Sequence, residues 1–223
     1  MQQLSYTEEN YLKALYHLSQ GGEDLVNTNS LADSMDTTAA SANDMMKRLS
    51  QKGLIGHQKY KGASLLSEGK NIALRIIRKH RLWEVFLVQK LNFRWDEVHE
   101  IAEQLEHIQS PLLIQKLDEF LGHPSIDPHG DPIPDEHGTM KEVRKISLAE
   151  SNVGDRGLVV AVSDDNSELL QHLDSIGIEL GCVVDVQERV AFDHSLSLKV
   201  GGDQVRFISK TIAENLLVTI LDT

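Results

Sequence analysis

The residues best suited to chemistry in this chain are His99, Glu103, Glu106 and His107. On an α-helix, positions i, i+4, i+7 and i+8 lie close to one face, one above another. His80 and Glu84 stand at i and i+4 on the preceding helical segment. Two antiparallel helices could therefore converge five or six imidazole and carboxylate donors on one locus, a ligand set suited to Mn(II), Fe(II) or Zn(II). The stretch His99-Glu100-Ile101-Ala102-Glu103 lacks the second histidine that a metalloprotease helix needs. A ferritin-like di-iron site needs Glu-x-x-His on two helices, whereas Glu103 precedes His107 by four and has no second copy. Any one of these residues alone reads as a solvated acidic helix face; six at these spacings read as a metal site.

The flanking segments must position them. Residues 4–19 carry Leu4, Tyr11, Leu12, Leu15, Tyr16 and Leu18 at mostly helical spacing, with Thr7 as the expected N-cap and Gly21-Gly22 as the stop. A short helix is predicted from Thr28 through Met35. Asp36-Thr37-Thr38 is a capping turn, and a helix follows to about Gln51 with Ala42, Met45, Met46 and Leu49 on its apolar side. Gly53 closes it. Leu54-Ile55 and Ser64-Leu65-Leu66 flank Lys59-Tyr60-Lys61-Gly62, a β-hairpin with a basic tip. This order is that of a winged helix-turn-helix, whose second helix enters the major groove of DNA. Thr38, Ser41, Asn43 and Asp44 are short polar residues able to reach base edges or phosphates. Lys47, Arg48, Lys52, Lys59 and Lys61 would neutralise phosphates.

Charge agrees. The net charge of −12 argues against nucleic acid until it is divided along the chain. Residues 45–81 hold ten Lys or Arg against the single acid Glu68, while the flanking regions are acidic. A basic block in an acidic chain is the footprint of a local phosphate-binding surface.

Further helices are predicted over about 67–90, 95–109 and 111–121. Residues 122–138 form a linker or irregular crossover holding four of the five prolines. Beyond residue 147, short strands at 157–162, 183–186, 195–200 and 205–208, with a helical segment at 167–176, describe a small SH3-like β-barrel. The expected fold class is mainly α with a β C-terminal domain. It comprises a winged helix-turn-helix over 1–70, a helical metal-binding and dimerisation domain over 71–145, and the barrel over 146–223. No apolar run is long enough to span a membrane, the N-terminus is not a signal peptide, and the single Cys182, a small apolar filler, can form no internal disulfide. A cytoplasmic protein without a membrane partner is expected.

These stretches carry a resemblance. Thr7-Glu8-Glu9-Asn10-Tyr11-Leu12, Lys52-Gly53-Leu54-Ile55, Arg78-Lys79-His80-Arg81-Leu82, Val98-His99-Glu100, Leu105-Glu106-His107 and His129-Gly130-Asp131-Pro132-Ile133-Pro134 occur in the order seen in the diphtheria-toxin-repressor family of metal-dependent regulators. The chain resembles the family's long form, which ends in an SH3-like, FeoA-type domain. The resemblance implies a homodimeric repressor that binds operator double-stranded DNA, with Mn(II) as the first expectation for corepressor and Fe(II) as the second, and control of metal-uptake genes. It implies two metal positions. One would use His80, Glu84 and His99, completed by Asp165 and Glu168 from the barrel. The other, activating, position would use Glu103, Glu106, His107 and Asn10, with Glu8 or Glu9 as substitutes for the weak ligand Asn10. Glu103 is a hard oxygen ligand where iron-sensing members have Cys, which favours Mn(II). Lys13 stands where short-form manganese regulators have a carboxylate and disfavours their binuclear site. Two other readings stay open: a mononuclear metal hydrolase using His99, Glu103 and His107, which no nucleophile motif or phosphate loop supports, and a DNA-binding protein whose His/Glu cluster is purely structural.

Overall fold

A computed structural model describes residues 4–58, 61–140, 145–164, 166–202 and 204–221. The chain divides into two compact units, one of residues 1–80, 103–114 and 134–140, the other of residues 81–102, 115–133 and 141–223.

The first unit opens with helix α1 (Tyr6–Leu18). Its N-cap is Ser5, not Thr7: the Ser5 hydroxyl accepts from the Glu8 N–H, and the Glu8 carboxylate accepts from the Ser5 N–H. The reason is legible in hindsight, because Ser5-x-x-Glu8 is a capping box and Thr7-x-x-Asn10 is not. Helix α2 (Thr28–Ser34) is capped by Asn27, and helix α3 (Ala39–Gln51) by Thr38. Gly53, at φ +71°, makes the left-handed turn into strand β1 (Ile55–Gln58). Strand β2 (Gly62–Leu65) pairs antiparallel with β1, Ile55 opposite Leu65, and Val26 bridges to Ala63 beside it. Leu12, Leu15, Leu31, Met46, Leu49 and Ile55 are fully buried and fix α1, α2, α3 and the hairpin into one core. This is the expected winged helix-turn-helix.

Helix α4 (Ser67–Leu91) runs through both units, its residues up to His80 in the first and from Arg81 in the second. The single helix expected over 95–109 is instead a 3-10 turn (Trp95–Glu97), helix α5 (His99–Leu105) and a turn that carries Glu106 and His107. The chain cannot continue as helix into Ser110, because Pro111 disfavours the helical conformation for the residue before it. Pro111 itself opens helix α6 (Pro111–Phe120), as a first-turn proline does.

The C-terminal part of the second unit is a six-stranded antiparallel sheet of the SH3-like kind, ordered β3-β8-β4-β5-β6-β7. Its strands are β3 (Ile146–Ser147), β4 (Arg156–Val162), β5 (Val183–Arg189), β6 (Leu196–Val200), β7 (Gln204–Ile208) and β8 (Leu216–Ile220). Helix α7 (Ser167–Ser175) follows β4, and helix α8 (Lys210–Asn215) precedes β8. Leu148, Val159, Leu170, Leu173, Ile178, Val184, Leu198 and Val218 form the core. Sequence reading missed β3, α8 and β8. The change from α8 to β8 falls between Asn215 and Leu216, with neither the Gly nor the Pro that signals a boundary. No helix among the described residues is long and apolar enough to cross a membrane.

Candidate metal centres and nucleic-acid surface

In the first unit, α1 and the turn after α5 meet. Glu106 is fully buried and is held by two cationic or potentially cationic partners. His80 Nδ1 lies 2.7 Å from its Oε2, and Lys13 Nζ lies 2.8 and 2.9 Å from its two oxygens. Burial raises the affinity of this carboxyl for a proton, but His80 and Lys13 outweigh it and hold Glu106 below the ordinary carboxylate range. Lys13 also donates to Glu103 Oε1 at 2.5 Å. His107 Nδ1 lies 2.6 Å from Glu9 Oε2. Its Nε2 lies on the other side of the ring, 3.9 Å from Glu106 Oε1. Gln109 donates to the other oxygen of Glu9, and the Tyr6 ring stacks on His107. A histidine fixed through one nitrogen by a carboxylate is the usual second support of a metal ligand.

Asn10 stands on α1 as a further oxygen donor. It lies three residues before Lys13 on α1, on the same side, and its buried Oδ1 has no hydrogen-bond partner among the described residues. An orphaned buried carbonyl costs free energy unless something takes its lone pairs. Asn10, Glu103, Glu106 and His107 are oxygen and imidazole donors, a chemistry that suits Mn(II) or Fe(II). Glu8, proposed as a substitute for Asn10, is turned away: it belongs to the α1 cap and accepts from Lys52 Nζ at 2.6 Å.

The second unit holds another buried group. One donor atom each of Glu84, Asp127 and His129 lie within 4.8 Å of one another, and all three residues are buried. The loop that delivers Asp127 and His129 is locked by its own turn chemistry. Asp127 Oδ1 accepts from the N–H of both His129 and Asp131, and the Ile133 N–H returns to the Ser125 carbonyl. Arg81 on α4 clamps the loop through the Pro132 carbonyl, Asp131 and Asp127 Oδ2. The His129 carbonyl accepts from Val162 N–H on β4. Gly130 is required here: a Cβ would sit 1.6 Å from the Val160 carbonyl oxygen, at a φ of +85°. His129 Nε2 donates to the Trp95 carbonyl at 2.9 Å, which turns Nδ1 toward Glu84 Oε2 at 3.7 Å.

Burial pushes the Asp127 carboxyl up to about 6, with Glu84 adding and Arg81 opposing. Burial works against the His129 imidazolium, but Glu84 and Asp127 beside it outweigh this and push it up to about 9. The pair of carboxylates thus calls for a positive charge. His99 Nδ1 lies 3.6 Å from Glu84 Oε1. Glu168 stands exposed in the first turn of α7 and is not in this group, and Asp165 lies outside the described residues. His80 lies 2.7 Å from Glu106 and 4.0 Å from Glu103 in the first unit.

The candidate DNA surface is the exposed side of α3. Ser41, Asp44, Lys47 and Arg48 are exposed, while Ala42, Met46 and Leu49 are buried behind them, and Asn43 is half-buried. Thr38 and Ser41 form the cap: Thr38 Oγ1 accepts from Ser41 N–H. Asp44 pairs with Lys47 at 2.9 Å, and the Lys47 ammonium holds the Asp44 carboxyl below its ordinary range. Lys61 is exposed beside β2, and Lys59 lies outside the described residues.

Three family models match in chain order: the iron-dependent repressor N-terminal DNA-binding domain over residues 3–63, the iron-dependent repressor metal-binding and dimerisation domain over 66–135, and the FeoA domain over 146–220. A solved manganese-dependent transcriptional repressor in complex with manganese is 34% identical, with a TM-score of 0.85 over 96% of this chain and 100% of that one. The chain belongs to the iron-dependent repressor family. Another member, ScaR with bound Cd2+, is 32% identical with a TM-score of 0.75, over 96% of this chain and 99% of that one. The iron-dependent repressor IdeR of Mycobacterium tuberculosis is 31% identical over 134 residues, which span 60% of this chain and 58% of that protein. The diphtheria toxin repressor of Corynebacterium glutamicum is 25% identical over 212 residues, spanning 87% of this chain and 91% of that protein.

Within this family member, sequence reading missed Asp127, His129 and the part played by Glu9 and Lys13. A signal existed for the first two: Asp127-Pro128-His129-Gly130 puts two donors two residues apart in a Pro/Gly turn, and only the glycine permits the close backbone approach. For Glu9 and Lys13 no local pattern points to partners some 90 to 100 residues away.

Proposed function

We propose that the chain is a cytoplasmic, metal-activated transcriptional repressor that binds operator DNA as a homodimer, with Mn(II) as its first metal and Fe(II) as its second. The observation that carries this reading is that α1 belongs to two structures at once. Leu12 and Leu15 pack it into the winged helix-turn-helix core, while Glu9 and Lys13 contact His107, Glu103 and Glu106. A change in charge at that centre is therefore felt by an element of the DNA-binding domain.

Glu103, Glu106, His107 and Asn10 would hold the activating ion, and Glu84, Asp127 and His129 the other. A bound divalent ion would supply positive charge to carboxylates that are paired with Lys13 and the histidines in its absence. Glu9 orients His107 through Nδ1, and the Trp95 carbonyl orients His129 through Nε2. In α3, Lys47 and Arg48 would neutralise phosphates and Ser41 and Asn43 would face the groove. Helix α6 leaves Leu112, Leu113 and Phe120 exposed, an apolar surface suited to a subunit interface.

The test is binding of a labelled promoter fragment from the protein's own genome with EDTA, Mn(II), anaerobic Fe(II) and Zn(II). The proposal expects tight binding only with added metal, steepest with Mn(II). Equally tight binding in EDTA would remove the sensor and leave a constitutive DNA-binding protein.

A further inference from the structure

Lys13 cannot ligate a metal as an ammonium, yet it holds both carboxylates of the first centre. Its Nζ lies 2.5 Å from Glu103 Oε1 and 2.8 and 2.9 Å from Glu106 Oε1 and Oε2. Three carboxylate oxygens thus face the three N–H donors of one ammonium. The Lys13 side chain is 13% exposed and that of Glu106 is not exposed at all, so water screens the pair weakly. A divalent ion bound by the same oxygens would place a second cation against the ammonium in a poorly screened site. The two cannot share these oxygens in the arrangement seen.

We infer that Lys13 is a built-in competitor of the metal: its ammonium occupies the Glu103–Glu106 carboxylates in the metal-free protein, must vacate them before a divalent cation binds, and so sets the metal concentration at which the protein responds. The inference rests on the reading of Glu103 and Glu106 as metal ligands. It adds a consequence for α1. The helix is tied to the centre through Lys13 to Glu103 and Glu106 and through Glu9 to His107. Binding exchanges the Lys13 ties for a contact to the orphaned Asn10 oxygen and leaves Glu9 in place. The metal is then a replacement for one tether by another, not the creation of a first one.

The experiment measures Mn(II) affinity from the electron paramagnetic resonance signal of free Mn(II), using full-length protein. All proteins carry Glu84→Gln, which weakens the second centre. Into this background are placed Glu106→Gln, Lys13→Met, Lys13→Gln and Lys13→Arg, with circular dichroism to verify folding. Lys13→Met and Lys13→Gln should each tighten Mn(II) binding about tenfold or more, the scale on which one unscreened charge acts. Lys13→Arg keeps the cation and should stay within about threefold of the background. Glu106→Gln should lose most of the binding. Unchanged or weaker affinity in whichever of Lys13→Met and Lys13→Gln folds, with Glu106→Gln still losing binding, would overturn the competitor role and leave the site reading intact. Tightening in Lys13→Arg equal to that in Lys13→Gln would also overturn it, since charge would not be the cause. Binding retained in Glu106→Gln would overturn the site reading and this inference with it.

Discussion

Glu9 is the residue whose role is most local and most easily isolated. It accepts from His107 Nδ1 at 2.6 Å, and Gln109 steadies its second oxygen. Losing such an outer partner commonly costs ten- to a hundredfold in metal affinity. Glu9→Ala should therefore weaken Mn(II) binding by roughly that factor, measured by calorimetry, and should lower the thermal melt by the loss of its hydrogen bonds to His107 and Gln109. His129→Ala should remove the second centre while leaving the first titratable. Retention of two binding events in His129→Ala would show that Asp127 and His129 are structural. At this scale sequence and structure part ways instructively. Helical spacing singled out His99, Glu103, Glu106 and His107, but α5 ends at Leu105, Glu106 and His107 lie in the turn after it, and His99 stands beside Glu84. Asp127 was not legible, because its position depends on an Asx turn, an Arg81 clamp and a glycine that lets the loop touch β4.

The elements that carry the sites owe their limits to a few identifiable contacts. Helix α1 begins where the Ser5/Glu8 box satisfies its first N–H groups, and Lys52 after α3 pairs with the same Glu8. Burial pushes the Glu8 carboxyl up, but Lys52 and the Ser5 N–H and hydroxyl outweigh it, so it sits below its ordinary value of 4.5. A carboxyl with a depressed folded pKa stabilises the fold above its unfolded pKa and loses that contribution as pH falls through the folded value. Wild-type protein should thus lose stability below about pH 4.5 more steeply than Glu8→Gln. At neutral pH Gln still completes the capping box, and loss of the Lys52 charge pair should cost less than about 1 kcal/mol, read as a slightly lower denaturant midpoint. Equal slopes in acid would contradict the pairing. Gly130→Ala belongs to the same scale: with a carbonyl oxygen 1.6 Å from the new Cβ, the loop must leave β4, and Asp127 and His129 with it. Its Mn(II) stoichiometry should fall by one site. Element order was readable from the sequence because apolar periodicity, the Thr38 cap and Gly53 agree over α2, α3 and the hairpin, while α1 was found by its apolar spacing although its cap is Ser5. It failed at 95–109, where a tidy pattern of donors hid a helix of only seven residues, and at β8, where strand follows helix without punctuation.

For the whole molecule the account turns on the distribution of charge and on the helix that two structures share. A net charge of −12 coexists with a basic stretch at 45–81, so binding to DNA must be local and strongly salt-dependent. Each phosphate contact removed should lower the slope of log affinity against log salt by about one. Lys47→Ala and Arg48→Ala should each do so across all sequences, whereas Asn43→Ala should chiefly relax preference for the operator. The central claim is that occupancy at the Glu103/Glu106/His107 centre is what the DNA-binding domain senses through α1. The most direct measurement is the anisotropy of a labelled promoter fragment titrated with wild-type and Glu106→Gln protein, each in EDTA and in saturating Mn(II), at fixed ionic strength. Wild type should gain roughly 5- to 150-fold in DNA affinity on adding Mn(II), the range of typical allosteric coupling, and Glu106→Gln should gain almost nothing while binding DNA as weakly as metal-free wild type. A Glu106→Gln protein that still gained the full factor would contradict the account and place the sensing metal elsewhere.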